Sequence, residues 1–219
     1  MNTRCSRLDS IIEAYLDIRS RVIAAGYSRE IDWQECISFD EITESQFLRE
    51  AAWVVLSTGM SEVVVRRKFT ELTPIFLDWV SASEIVNSKQ ECKKRALRIF
   101  NHKPKISAII SIAEEINENG FGSVRSRIGD EGVEYLRTFD FVGPVTCYHL
   151  AKNIGLDVVK PDRHLKRIAI TLNFQNPTSL CKTISDSTGD KISVVDIVLW
   201  RFATLNRSYL KLFRSLVEA

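Results

Sequence analysis

Glycine and proline are scarce in this 219-residue chain, nine and five respectively, and no stretch approaches the roughly 18 apolar residues that a membrane span requires. With 45% hydrophobic and 26% charged residues, such a chain is neither collagen-like nor low-complexity nor natively disordered. Cysteine is sparse too. Cys5, Cys36, Cys92, Cys147 and Cys181 are odd in number and never form a CxxC pair, which excludes a metal knuckle and a disulfide framework and predicts reduced thiols that mostly fill the core. The three histidines, His102, His149 and His164, never fall at ligand spacing with a nearby carboxylate, so no protein-ligated transition metal is expected. The N-terminal Met-Asn-Thr-Arg-Cys-Ser-Arg leads into a charged amphipathic segment rather than an apolar secretory core, which predicts a soluble intracellular protein. A chain of this length buries roughly 70% of its unfolded surface, enough for one large domain or two small ones.

Net charge is only +2, but its distribution is uneven. Between residues 87 and 105, Lys89, Lys93, Lys94, Arg95, Arg98, Lys103 and Lys105 face Glu91 as the single acid. A solvated helix face explains such a run; the alternative is a footprint for a polyanion.

What the sequence does contain is helical periodicity. Leu8, Ile11, Ile12, Tyr15, Leu16, Ile18, Val22 and Ile23 recur at the helical period, with Gly26 as a stop. Thr43 and Gln46 make a capping-box pattern before an apolar run that ends at Gly59; Ser61 and the Ser81/Glu84 pair promise further helix starts. A basic helix is predicted over about 89–100, and an amphipathic one after Pro104 that stops near Gly120. Further segments fall near 122–128, 131–138, 144–154, 162–172, 177–185 and 193–212, giving roughly ten to twelve helices and no strand. The Val194, Val195, Ile197, Val198, Trp200 and Phe202 stripe reads as core. The predicted fold is all-α, with two lobes and a cleft between them.

The stretch with chemical content begins Leu136-Arg-Thr-Phe-Asp-Phe-Val-Gly143-Pro144-Val145-Thr146-Cys147 and continues to Lys160-Pro161-Asp162-Arg163-His164-Leu165-Lys166-Arg167. A helix end, a tight Phe-Val-Gly-Pro turn and a new helix point backbone amides outward from a helix N-terminus, an arrangement suited to phosphate. These residues resemble the helix-hairpin-helix DNA glycosylase superfamily, whose hairpin typically reads Leu-Pro-Gly-(Val/Ile)-Gly-Pro-x-Thr-Ala and is followed by a catalytic aspartate. Asp162, 17 residues past Val145, stands at the matching separation. The resemblance covers roughly residues 45 to 205; Leu56-Ser57-Thr58 is similar to an early Leu-Ser helix end, and Lys105-Ile106-Ser107-Ala108-Ile109-Ile110 to a Lys-x-x-x-Ile-Ile helix. Beside this stands the ordinary reading of an aspartate next to a proline, a helix cap.

The resemblance implies an all-α glycosylase fold with a helical bundle lobe over 35–135 and a hairpin-bearing lobe from 1–34 and 136–219. It implies a monofunctional enzyme that hydrolyses the N-glycosidic bond of a modified base in double-stranded DNA, with Asp162 catalytic. DNA contacts would come from Gly143, Pro144, Val145, Thr146, Lys160, Arg163, His164 and Lys166, and the base pocket would draw on Trp53, Phe141 and Tyr148. Carbonyls of Arg137, Phe139 and Val142 match positions that hold a monovalent cation in the family. Departures narrow the reading. Phe141 replaces the first hairpin glycine, Gly59 replaces the glutamine that often follows Leu-Ser, and Val145 stands where bifunctional members keep a Schiff-base lysine. The iron-sulfur cysteines of the endonuclease III branch are missing, which leaves the alkylpurine glycosylases as the nearer branch and alkylated purine as the first substrate class, ahead of uracil, oxidised or enzymatically modified bases. No other cofactor is expected. A cytoplasmic, nucleoid-associated monomer without membrane contact is expected. The alternatives are a catalytically silent DNA-binding module and a lyase acting through Lys160 or Lys152.

Overall fold

Apolar residues spaced three or four apart along nearly the whole chain cannot be buried by strands, whose faces alternate every two residues, and helices result. The computed structural model describes residues 2–218, and side chains over 7–217. In it, the described residues form fourteen α-helices and no strand. They are α1 (Asn2–Val22), α2 (Ser28–Cys36), α3 (Glu44–Ser57), α4 (Glu62–Leu72), α5 (Ala82–Asn87), α6 (Lys89–Ile99), α7 (Lys103–Asn119) and α8 (Phe121–Glu131). There follow α9 (Val133–Leu136), α10 (Thr146–Asn153), α11 (Arg163–Thr171), α12 (Pro177–Thr188), α13 (Ile192–Leu205) and α14 (Tyr209–Glu218). No helix among the described residues is long and apolar enough to cross a membrane.

The packing divides the chain into two compact units, one from Met1–Ile37 with Gly155–Ala219, the other from Ser38–Ile154. In the unit built from both chain ends, α1 packs on α12, α13 and α14, and α11 lies against α12, α13 and α14. Ile11, Tyr15, Ile18, Ile168, Val194 and Val198 lie in its core. The fully buried Tyr15 hydroxyl donates to the Asp190 carboxylate, and burial followed by that bond pushes the phenol pKa upward. Arg201 grips Glu30 with two bonds of 2.9 and 2.5 Å, joining α13 to α2. Of the Val194–Phe202 stripe, Val194, Val195, Val198 and Phe202 are buried, as core residues should be.

In the central unit, α3 supplies Phe47, Val54, Val55 and Leu56 to a core closed by α7 through Ile106 and Ile109. The Thr43/Gln46 capping box forms. The Ser81/Glu84 box does not: the first-turn amide of Ala82 donates instead to Glu44 Oε1 at 2.7 Å, so a carboxylate from α3 caps α5. Ser61 likewise makes no side-chain cap. Cys92, Cys147 and Cys181 are buried and Cys36 is exposed; the Cys5 side chain lies outside the described residues.

Other expectations meet corrections. The stop at Gly26 holds, since its φ of +90° leaves the right-handed helical region and kinks the chain, but the segment past the kink forms α2, a helix the apolar period did not predict. The segment 193–212 breaks after Leu205, where Asn206 leaves the helical region at φ −122°, so α13 and α14 are separate. The bundle boundary expected at 135 lies instead after Ile154, because α10 packs on α3 and α9, and the hairpin over 136–154 therefore belongs to the central unit.

Candidate functional site

The hairpin is a sequence of local bonds. Past α9, the Phe139 amide donates to Leu136 O at 3.3 Å and the Val142 amide to Phe139 O at 3.0 Å, which turns the chain back on itself. Phe141 sits at φ +65°, the left-handed region that favours glycine. Thr146 holds the turn closed: its Oγ1 accepts the Gly143 amide at 2.6 Å and lies 3.3 Å from Phe141 O. The Gly143 amide is therefore engaged within the turn. The amides of Val145 and Thr146, at the start of α10, have no acceptor among the described residues, and Pro144 and Val145 are exposed beside them.

Two neighbours brace this turn within the central unit. Thr58 Oγ1 lies 3.0 Å from Val54 O and 3.3 Å from Phe141 O, tying the end of α3 to the hairpin. The buried Lys105 ammonium donates to Leu56 O and Thr58 O at 2.7 and 2.6 Å, satisfying carbonyls that the end of α3 leaves open. Burial pushes the Lys105 pKa down. His102 caps α7 by accepting the Lys105 amide at Nδ1, and its ring meets the Phe141 ring edge-on at 5.8 Å. The resemblance marks Thr58 and Lys105 only as members of weak motifs; their contacts with the hairpin and the α3 end explain why those residue types stand there.

The three expected pocket aromatics are all half-buried, but they do not form one cluster. Trp53 meets Phe69 edge-on at 5.3 Å, and Phe69 stacks on Trp79, so Trp53 joins the bundle's aromatic group. Phe141 instead faces His102, and Tyr148 lies on α10. A further pair is invisible in the sequence because its members are 103 positions apart: Asn153 Nδ2 donates to Glu50 Oε2 at 2.9 Å, and burial pushes the Glu50 carboxyl pKa up against the opposing effect of that bond. Lys152 is buried, at 4% exposure.

Asp162 belongs to the other unit. An extended stretch before it is anchored by the buried Asp196, whose Oδ2 accepts the Lys160 amide at 2.6 Å. Asp162 then caps α11, with Oδ1 accepting the amides of His164 and Leu165 at 2.8 and 3.0 Å. Both bonds fall on one oxygen. Oδ2 carries neither of these cap bonds and belongs to a half-exposed residue at the positive end of a nine-residue helix.

Beyond the cap, α11 separates its faces cleanly. Leu165, Ile168 and Ala169 are buried, while Arg163, Lys166, Arg167 and Ile170 are exposed at helical spacing. His164 is half-buried beside this face, with Nε2 3.3 Å from Arg163 Nε and Nδ1 3.1 Å from the Tyr209 hydroxyl. Burial pushes the His164 pKa down, with Asp162 opposing it.

Comparison with protein-family models, curated proteins and solved structures yields no match for this chain.

Proposed function

We propose that the protein is a monofunctional DNA glycosylase that hydrolyses the N-glycosidic bond of a damaged or modified base and leaves an abasic site. The observation that carries this reading is the division of labour within Asp162: Oδ1 anchors α11, and Oδ2 is left for a ligand beside an exposed cationic face. The left-handed Phe141 adds support, because a hairpin of this kind needs such a backbone at that position.

Cleavage of the bond leaves positive charge on the deoxyribose, which Oδ2 of Asp162 stabilises while orienting the attacking water. The base leaves the stack first, at a cost of about a few kcal/mol that is lowest for damaged pairs. The Val145 and Thr146 amides hold phosphate at the hairpin, and Lys160, Arg163 and Lys166 hold phosphate near Asp162. His164, 3.3 Å from Arg163 Nε, adds a further contact beside these cations. A monovalent cation would be held by the carbonyls of Arg137, Phe139 and Val142, and would supply positive charge beside the phosphate. The Phe139 carbonyl already accepts one amide and keeps one lone pair for such an ion. Alkylated purine is the first substrate class of the proposal, and the enzyme acts as a monomer on double-stranded DNA.

The test is incubation with duplexes that each carry one modified base, followed by alkaline strand scission and mass detection of the freed base. Asp162→Asn retains a capping side chain but removes the charge. It should lower base release by about 10²-fold or more while duplex affinity is retained. One observation favours a second reading, a silent DNA-binding module: the two capping bonds alone account for an aspartate at position 162. Tight duplex binding with no base released by either protein would select that reading.

A further inference from the structure

Many surface cations of this protein are matched by carboxylates. Arg21 pairs with Asp17, Arg66 with Glu62, Lys68 with Glu71, Arg127 with Glu131 and Lys182 with Asp186. Helix α6, like α11 with its exposed Lys166 and Arg167, gathers cations outside these pairs. Lys94, Arg95 and Arg98 are exposed on it, Lys103 follows at the start of α7, and none of the four has an ion-pair partner among the described residues. Of the other cations of the run, Lys89 meets Glu114 at 2.8 Å, Lys105 is buried against the α3 carbonyls, and Lys93 is half-buried on α6.

Complementing the helix dipole explains Arg98 in the last turn and nothing more. Lys94 lies in mid-helix, and its i,i+4 relation to Arg98 is repulsive, so the pair weakens the helix that carries it. A surface that keeps like charges together at such a cost is suited to a polyanion. The strip also has a direction. Past its C-terminal end, the buried Phe100 stacks on His102 at 6.0 Å, and His102 meets the hairpin's Phe141 at 5.8 Å, so a chain of rings links the residue after α6 to the hairpin within the same unit. At 1.5 Å per residue, the exposed cations of α6 span about 6 Å of its axis, about two nucleotide steps of one strand.

We propose that the exposed face of α6 is a second phosphate-binding strip for duplex DNA, continuous with the hairpin and independent of the chemistry at Asp162. It rests on the DNA-binding part of the proposed function, and its test uses no base release. The experiment compares the full chain with the triple variant Lys94→Gln, Arg95→Gln, Arg98→Gln, whose positions are exposed and leave the core intact. Anisotropy of a labelled, undamaged duplex is followed over a salt series.

The variant should bind about tenfold or more weakly at moderate salt, with the slope of log affinity against log salt shallower by about 2 to 3, at about 0.9 per phosphate released. An unchanged affinity and slope would overturn the strip, even if the parent released bases. A shallower slope in a protein that releases no base from any duplex would leave the strip standing and reject the glycosylase reading. Loss of binding to a single-stranded RNA alone, with duplex affinity unaltered, would assign the face to RNA and overturn the proposal.

Discussion

At the scale of single residues, His164 is the best example of a side chain whose role depends on its neighbours. Its Nε2 faces the Arg163 donor and its Nδ1 faces Tyr209. A histidine with a lowered folded pKa stabilises the fold fully above its unfolded value of about 6.5, and that contribution is lost as pH falls through the folded pKa. Acidification should therefore destabilise the parent more than His164→Gln, which cannot titrate. Urea melts of both at pH 5 and pH 7.5 check this; parallel losses would show that His164 carries no linked proton. Asp162 behaves differently, because its cap survives in Asp162→Asn and its charge does not. Asp162→Ala should cost about 0.5–2 kcal/mol of stability, whereas Asp162→Asn should cost little. A melting comparison thus separates the anchoring oxygen from the proposed catalytic one.

At the scale of elements, the hairpin depends on two side chains that do unequal work. Thr146 accepts the Gly143 amide, so Thr146→Val leaves a polar group without its partner and should cost about 1 kcal/mol or more, while Thr146→Ser keeps the bond. At Phe141 the backbone decides. A β-branched residue is disfavoured at φ +65°, so Phe141→Val should be less stable than Phe141→Asn by about 1 kcal/mol, as denaturant melts would show. The helices themselves were largely legible, since each signal, whether an apolar period, the Gly120 stop or the Thr43/Gln46 box, is carried by residues a few positions apart. The cap of α5 was not. Glu44, which supplies it, is 38 positions from Ala82, and a local pattern cannot name a distant partner.

At the scale of the molecule, the two units have different chain logic. The central one is a single continuous segment with its own core, while the other needs both ends of the chain. A fragment over residues 38–154 should therefore be helical by circular dichroism and melt cooperatively. A fragment over 155–219 alone should not, because α1 and its Tyr15 and Ile18 would be missing from its core. Non-cooperative melting of the 38–154 fragment would show that its core is insufficient by itself.

The amino-acid order alone determined the helical class, most helix positions, the uneven charge and the Gly-Pro-x-Thr turn, because each rests on residues a few positions apart. Tertiary structure decided the rest: that the hairpin sides with the bundle, that Lys105 completes the α3 end, that His164 meets Tyr209, and that Asp162 anchors with one oxygen only. These depend on groups brought together from far along the chain, or on which lone pair a bond occupies, and neither is encoded in spacing.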